Sequence, residues 1–288
     1  PEQISALILA ELKRRAEKNG VELHEISKTQ AEAIEPRVKT YEKALFSPNT
    51  SSVNPALVLA AMKEDASHEG VVVEEGVEFM DYKRGTVETS QGNFEAGYIV
   101  NSAGLYADKI ARCFGFSEHY RILPFKGLYL YSEEPPHTYK THIYPVPNLK
   151  NPFLGVHLTV LADGRAKIGP TALPAFWREQ YAGFQNFHIF EFFEVLFREA
   201  GLLVSSSFDF KKLALDELRK SSKTAIVALA SKLVEGMRAV HYKVWGPAGI
   251  RAQLIHLKTR KLEMDFVTEG DAKSFHVLNA VSPGFTCA

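Results

Sequence analysis

Cysteine is scarce: Cys113 and Cys287 are the two in 288 residues. Two thiols in a chain of this length make no disulfide framework, and neither sits in a C-x-x-C pair, which counts against a structural zinc site. The expected setting is a reducing compartment: cytoplasmic, peripheral to an inner membrane, or organellar in a eukaryote. An excess of one charge is missing too. Lys plus Arg number 34 and Asp plus Glu number 34, so no bulk basicity points to nucleic acid as partner. No run approaches the roughly 20 apolar residues that span a bilayer. The aromatic stretch FHIFEFFEVLF over 187–197 is too short and contains two glutamates. The opening residues lack the basic-then-apolar order and small-residue cleavage site of a signal peptide. No two glycines stand two residues apart, so G-x-G-x-x-G is absent, and so are the P-loop, H-E-x-x-H and G-x-S-x-G patterns.

What is present is an ordinary globular composition, 45% apolar and 24% charged. The length suggests about two domains. Ile4, Leu7, Ile8 and Leu12 fall on one face of a first helix that Gly20 stops. Asn54 and Pro55 read as an N-cap followed by proline at the first helical position, opening a helix that ends at Gly70. Short strands are then expected from Val71 to Asn101, and LYADKIARCFG as a helix behind the small turn Ser102–Ala103–Gly104. The segment from 121 to 170 reads as strands, with Asp163–Gly164 as a hairpin turn. Residues 174–237 read as mostly helical, and the tail from Tyr242 as strands again, ending in SPGFTCA as the first turn of a helix. This pattern predicts a mixed α/β (α+β) protein in two parts, one of them discontinuous.

Several residues could carry chemistry. The strand-turn-helix at VNSAG leaves no bulky side chain at its turn, which suits either the approach of a cofactor backbone or simple tight packing. His157, on a strand with Gly155 and Thr159 as its face mates, is compatible with a general base and with a hydrogen-bonded core histidine. Arg251 follows the loop Gly246–Pro247–Ala248–Gly249 and could clamp a carboxylate at two points, or form a structural ion pair. Tyr144 between prolines could offer a hydroxyl or pack, and Lys126 in PFKG could be a second cation or a solvated lysine. Ser282 and Pro283 read as the N-cap and first position of the last helix.

Taken in order, ALFSPNTSSVNP, VNSAGLYADKIA, RILPFKGLYL, THIYPVPNLKNPFLGVHLTVLADGRAKIGPTA, GPAGIRAQ and DFVTEGDAKSFHVLNAVSP resemble the L-2-hydroxyglutarate dehydrogenases (oxidases) of the FAD-dependent, D-amino-acid-oxidase-like superfamily. The resemblance covers nearly the whole chain and is weakest over 174–240. It implies a Rossmann-like FAD domain, incomplete here, and a substrate domain built on an antiparallel sheet. The implied boundaries are 1–120 for a partial FAD domain, 121–255 for the substrate domain with a helical insertion at 174–237, and 256–288 for the return. The implied reaction is oxidation of L-2-hydroxyglutarate to 2-oxoglutarate, with the C2 hydride passing to flavin N5. The implied partner is a small 2-hydroxy dicarboxylate, with no nucleic acid and no transmembrane segment, and the electron acceptor is left open. By position, Val77, Ala103, Gly104, Pro283 and Gly284 would meet FAD, His157 would be the base, and Arg251, Tyr144 and Lys126 would hold substrate. The resemblance also implies a G-x-G-x-x-G unit before Pro1, so the sequence is expected to be a piece of a longer product. A relative acting on another 2-hydroxy or 2-amino acid, such as a glycine-oxidase-like enzyme, and a non-catalytic remnant are the alternatives.

Overall fold

The computed structural model describes residues 2–147, 155–205, 217, 219 and 221–280. Helix α1 (Glu2–Lys18) is followed by strand β1 (His24–Ser27), helix α2 (Lys28–Ile34) and strand β2 (Lys43–Phe46). By sequence, Gly20 is followed by a polar stretch and then by the turn-rich FSPNTSSVNP over 46–55. What organises it is a capping box, in which Ser27 and Gln30 satisfy each other's main-chain N–H groups, and an antiparallel pairing of β1 with β2. Helix α3 (Pro55–His68) starts where expected: Asn54 Oδ1 accepts the Ala56 N–H at 3.1 Å.

The expected strand at Val71–Glu75 does not form, and no described strand pairs with it. A meander follows instead, of β3 (Phe79–Lys83), β4 (Thr86–Thr89) and β5 (Gly92–Glu95). Then come β6 (Ile99–Asn101), a 3-10 turn over Gly104–Tyr106 and helix α4 (Ala107–Cys113). Next are β7 (Tyr120–Gly127), β8 (Leu130–Tyr131), β9 (His157–Val160), β10 (Ala166–Gly169) and β11 (Leu173–Pro174). The helix expected across 175–185 is replaced by successive turns. The Trp177 indole donates to the Gln185 carbonyl at 2.9 Å, and Gly183 and Asn186 take positive φ, +44° and +52°. Helices α5 (Ile189–Ser205) and α6 (Lys223–Ala230) precede β12 (Val244–Trp245), β13 (Gly249–His256), β14 (Lys261–Leu262), β15 (Val267–Gly270) and β16 (Ser274–Asn279).

The chain divides into two compact units: Pro1–Met62, Gly127–Ala172 and Glu217–Ala248 in the first, and Lys63–Lys126, Leu173–Asp216 and Gly249–Ala288 in the second. The first unit holds the sheet β12-β8-β10-β9, antiparallel throughout. One face of that sheet, with Leu130, Leu158, Ala166 and Ile168, packs on Ile226, Val227 and Ala230 of α6. Beside this core, Arg37 pairs with Glu134 at 2.8 Å, and Glu134 accepts the Tyr139 hydroxyl. The second unit holds the sheets β11-β7-β13-β14 and β15-β16-β6, in which β16 runs parallel to β6. Ala107, Ala111, Ile122, Leu254 and Leu278 form a core there.

Helix α5 is inverted. Phe190 and Phe197 are 78% and 72% exposed, while Glu191 and Glu199 are buried. Glu191 is compensated by Lys109 at 2.5 Å, but among the described residues Glu199 Oε1, which is buried, has no hydrogen-bond partner. Burial pushes the Glu199 carboxyl up to about 8, so the folded protein holds it as the neutral acid at pH 7. The unfolded chain releases that proton near pH 4.5, so the folded state binds more protons and loses stability as pH rises from 4.5 to 8. Glu199→Leu is therefore expected to raise stability at pH 7 by on the order of 3 kcal/mol. Urea unfolding at pH 4.5 and pH 7 checks it: an equal effect at both would show that ionisation is not the cause.

Candidate active site

His157 opens β9, and its register partner on β10 is Gly169. The His157 Nδ1 lies 2.9 Å from the Gly155 carbonyl oxygen. A carbonyl only accepts, so Nδ1 carries the proton and Nε2 keeps its lone pair. Burial is the main cause of a basicity lowered to about 4; the Gly155 bond opposes it and the positive charge of Lys167 adds to it. The imidazole is neutral at pH 7, in the tautomer that can accept a proton at Nε2. The Tyr144 ring stacks on it, with centroids 4.3 Å apart and planes at 25°. Sequence reasoning singled out both residues without any sign that they touch. The pairing that brings them near is a single bridge between Ile143 and Leu158.

His142 on the same segment is fixed differently. Its Nδ1 accepts the Val160 N–H at 3.0 Å, and Ser52 Oγ, near its Nε2, donates to the Val160 carbonyl. Both ring nitrogens face chain atoms, so His142 positions β9 and is no rival base.

In the second unit, the turn after β6 is built around Asn101. Its Nδ2 donates to the Ala107 carbonyl at 2.8 Å and lies 3.1 Å from His276 Nδ1, while its Oδ1 accepts the Ala103 N–H at 3.2 Å. His276 Nδ1 is therefore the acceptor, and Nε2 donates to Ser274 Oγ. Ser102, Ala103 and Gly104 are left exposed, and Gly104 takes φ +54° with open space where a Cβ would stand. The α-helix proper begins only at Ala107, three residues past that turn.

Beneath the turn lies a buried ion pair. Arg178 Nη1 and Nη2 reach Asp108 Oδ1 and Oδ2 at 2.6 and 3.0 Å, and Nη1 also donates to the Leu105 carbonyl. Burial alone would raise the Asp108 carboxyl; the Arg178 hydrogen bonds and charge, with the Ile122 N–H, hold it below the usual range. Sequence reasoning missed this pair, because the partners stand seventy residues apart in unrelated segments.

Lys126 and Arg251 also lie in this unit. They stand on β7 and β13, neighbours in one sheet. Leu257, just past β13, donates to the carbonyl of His119, just before β7. The strands are thus antiparallel, and Lys126 and Arg251 come to the same end of the sheet. Both are half-buried, and burial lowers the Lys126 ammonium. Val77 sits on the bend before β3 rather than in a strand. Pro283 and Gly284 lie outside the described residues. Among the described residues there is no cluster of side chains that could hold a metal ion, and no helix is long and apolar enough to cross a membrane.

The family described as FAD dependent oxidoreductase matches residues 2–288. The chain belongs to that family. Two curated relatives of this chain are L-2-hydroxyglutarate dehydrogenases. The mitochondrial one of Nematostella vectensis is 32% identical over 97% of this chain and 66% of its own length. That of Escherichia coli (strain K12) is 30% identical over 95% of this chain and 65% of its own. The chain thus spans just under two thirds of the length of these relatives. Its fold is that of reduced L-alpha-glycerophosphate oxidase from Mycoplasma pneumoniae, at TM-score 0.69 and 18% identity, covering 99% of this chain and 67% of that one. Glycine oxidase from Bacillus cereus matches at TM-score 0.62 and 16% identity, covering 98% and 67%. The turn at Ala103–Gly104 is compatible with the approach of a flavin cofactor, since it is exposed and there is open space where a Cβ at Gly104 would stand.

The buried pair gives a test of what holds that turn. Asp108→Ala leaves Arg178 charged and unpaired, and is expected to cost about 3–5 kcal/mol in urea unfolding. Replacing both partners, as Asp108→Leu with Arg178→Met, should recover most of that loss. A single variant as stable as the wild type would mean that the pair does not fasten the turn.

Proposed function

We propose that this chain carries the substrate sheet and part of the cofactor site of an FAD-dependent enzyme that oxidises L-2-hydroxyglutarate to 2-oxoglutarate. The observation that carries the reading is His157: its Nδ1–H is anchored on Gly155, which leaves Nε2 as a neutral acceptor under the Tyr144 ring. In this reading Nε2 takes the proton of the C2 hydroxyl. When bound, FAD supplies the acceptor for the hydride that leaves C2. Tyr144 orders the imidazole by stacking. Within the second unit, Arg251 and Lys126 are cations at one end of a sheet, of the kind that binds a carboxylate. Val77, Ala103 and Gly104 are the cofactor contacts, with Asn101 fixing the last two. The curated relatives' names support the substrate, and the family supports the cofactor.

The experiment is a visible spectrum of the protein with added FAD, before and after L-2-hydroxyglutarate. Bleaching of the flavin band by this substrate and not by glycine is the expected result; bleaching by glycine alone would transfer the reading to an amino-acid oxidase. Removing the base, as His157→Gln, is expected to slow that bleaching by roughly 100-fold or more. An unchanged rate would place the base elsewhere. Arg251→Ala is expected to lower kcat/KM for the dicarboxylate about 10- to 100-fold, the effect of losing a charge-assisted hydrogen bond of roughly 1.5–3 kcal/mol.

A further inference from the structure

The sheet β12-β8-β10-β9 has two chemically different faces. Leu130, Leu158, Ala166 and Ile168 supply one, and it is packed on the core of the first unit. Strand alternation sends His157, Thr159, Lys167, Gly169 and Tyr131 to the other. The register fixes their neighbours: His157 stands opposite Gly169, Thr159 opposite Lys167, and Lys167 also opposite Tyr131. Lys167 is thus the diagonal neighbour of His157 on the open face, at a backbone spacing of roughly 7–8 Å.

The surroundings of Lys167 are unusual for a lysine. Its ammonium stands over the Tyr129 ring, 4.2 Å from the centroid. Among the described residues it forms no ion pair and no hydrogen bond. It is half-buried, and burial lowers its basicity. The same Tyr129 ring lies against Gly169, where an added Cβ would come within 2.9 Å of the ring and 2.6 Å of the Leu128 carbonyl oxygen. Gly169 therefore lets the ring lie flat between the imidazole's register partner and the lysine. The ring face stabilises a cation but supplies neither a hydrogen bond nor a counter-charge. A desolvated ammonium with no acceptor is matched by an anionic oxygen ligand.

We propose that Lys167 is a specificity-determining residue, its ammonium binding the distal carboxylate of a dicarboxylate whose hydroxyl-bearing carbon is presented to His157. The inference rests on His157 being the base of the proposed reaction, and it names what selects a diacid over a monoacid at that base. The Lys167 charge is felt at the His157 imidazole, so both groups act on one region of the face. Arg165, just before the same strand, is already paired with Asp163 at 2.8 Å.

Binding of two inert probes to the full chain, read by calorimetry, tests this. Glutarate offers two carboxylates and butyrate one, and neither can be oxidised at C2. The wild type is expected to bind glutarate at least tenfold more tightly than butyrate. Lys167→Met should weaken glutarate about tenfold and leave butyrate within twofold, whereas Lys167→Arg should keep the preference. Lys167→Gln keeps a polar head of similar length without the charge, and should lose the preference as the methionine does, which controls for packing. A glutarate-to-butyrate ratio unchanged in Lys167→Met and Lys167→Gln, or no preference in the wild type, overturns the proposal. A flavin-bleaching rate unaffected by His157→Gln overturns the assignment of the base instead, and that outcome is read independently of the binding ratio.

Discussion

The buried pair of Arg178 and Asp108 is the constraint on which the second unit turns. Two charges removed from water are tolerated only if geometry and further hydrogen bonds compensate them. Here the pairing is two-pronged, Asp108 also accepts the Ile122 N–H, and Arg178 also serves the Leu105 carbonyl. These bonds join four segments at one point: the turn after β6, the start of α4, strand β7 and the turns before α5. The main chain of Arg178 in addition donates to Glu191, which binds α5 to the same point. The arrangement accounts for the burial of Glu191 on α5, whose carboxylate meets both Lys109 and Arg178. It also accounts for the missing helix at 175–185, since a regular helix there would not let Arg178 reach Asp108 while the Trp177 indole reaches Gln185.

The first unit meets a different demand. Its central sheet buries one apolar face in the ordinary way, which leaves the other free to carry polar groups close together. His157 shows what that permits. At His142 both ring nitrogens face chain atoms. At His157 one nitrogen is committed to Gly155, and among the described residues the other has no hydrogen-bond partner.

Much of this was legible in the sequence, and the parts that were not share a cause. The Asn54–Pro55 cap, the Asp163–Gly164 hairpin and the Ser102–Gly104 turn are local, set by residues within a few positions of one another, and the structure has them in place. His157 could be singled out because alternation assigns its face mates. Its tautomer could not be read, because that depends on which way the Gly155 carbonyl points. The stacking of Tyr144, the pairing of Arg178 with Asp108 and the seat of Lys167 over Tyr129 all join residues brought together by tertiary packing, which no spacing rule encodes. Val71–Val73 failed for the same reason in reverse. Three β-branched residues favour an extended strand, but a strand needs a neighbour, and none of the described strands pairs with it.

The low basicity of His157 seems at odds with its role only if the site is considered without its ligand. The imidazole is depressed first by burial and then by the nearby Lys167 cation. A dicarboxylate changes the second influence. A carboxylate paired with Lys167 cancels that cation, and the remaining negative charge favours the imidazolium, so binding the diacid raises the basicity of the group that must take its proton. A monocarboxylate that leaves Lys167 uncompensated gives the imidazole less help. In this site selectivity and basicity are therefore coupled: burial keeps the base neutral, and the residue that recognises the second carboxylate adds to that depression until a substrate carrying that carboxylate compensates its charge.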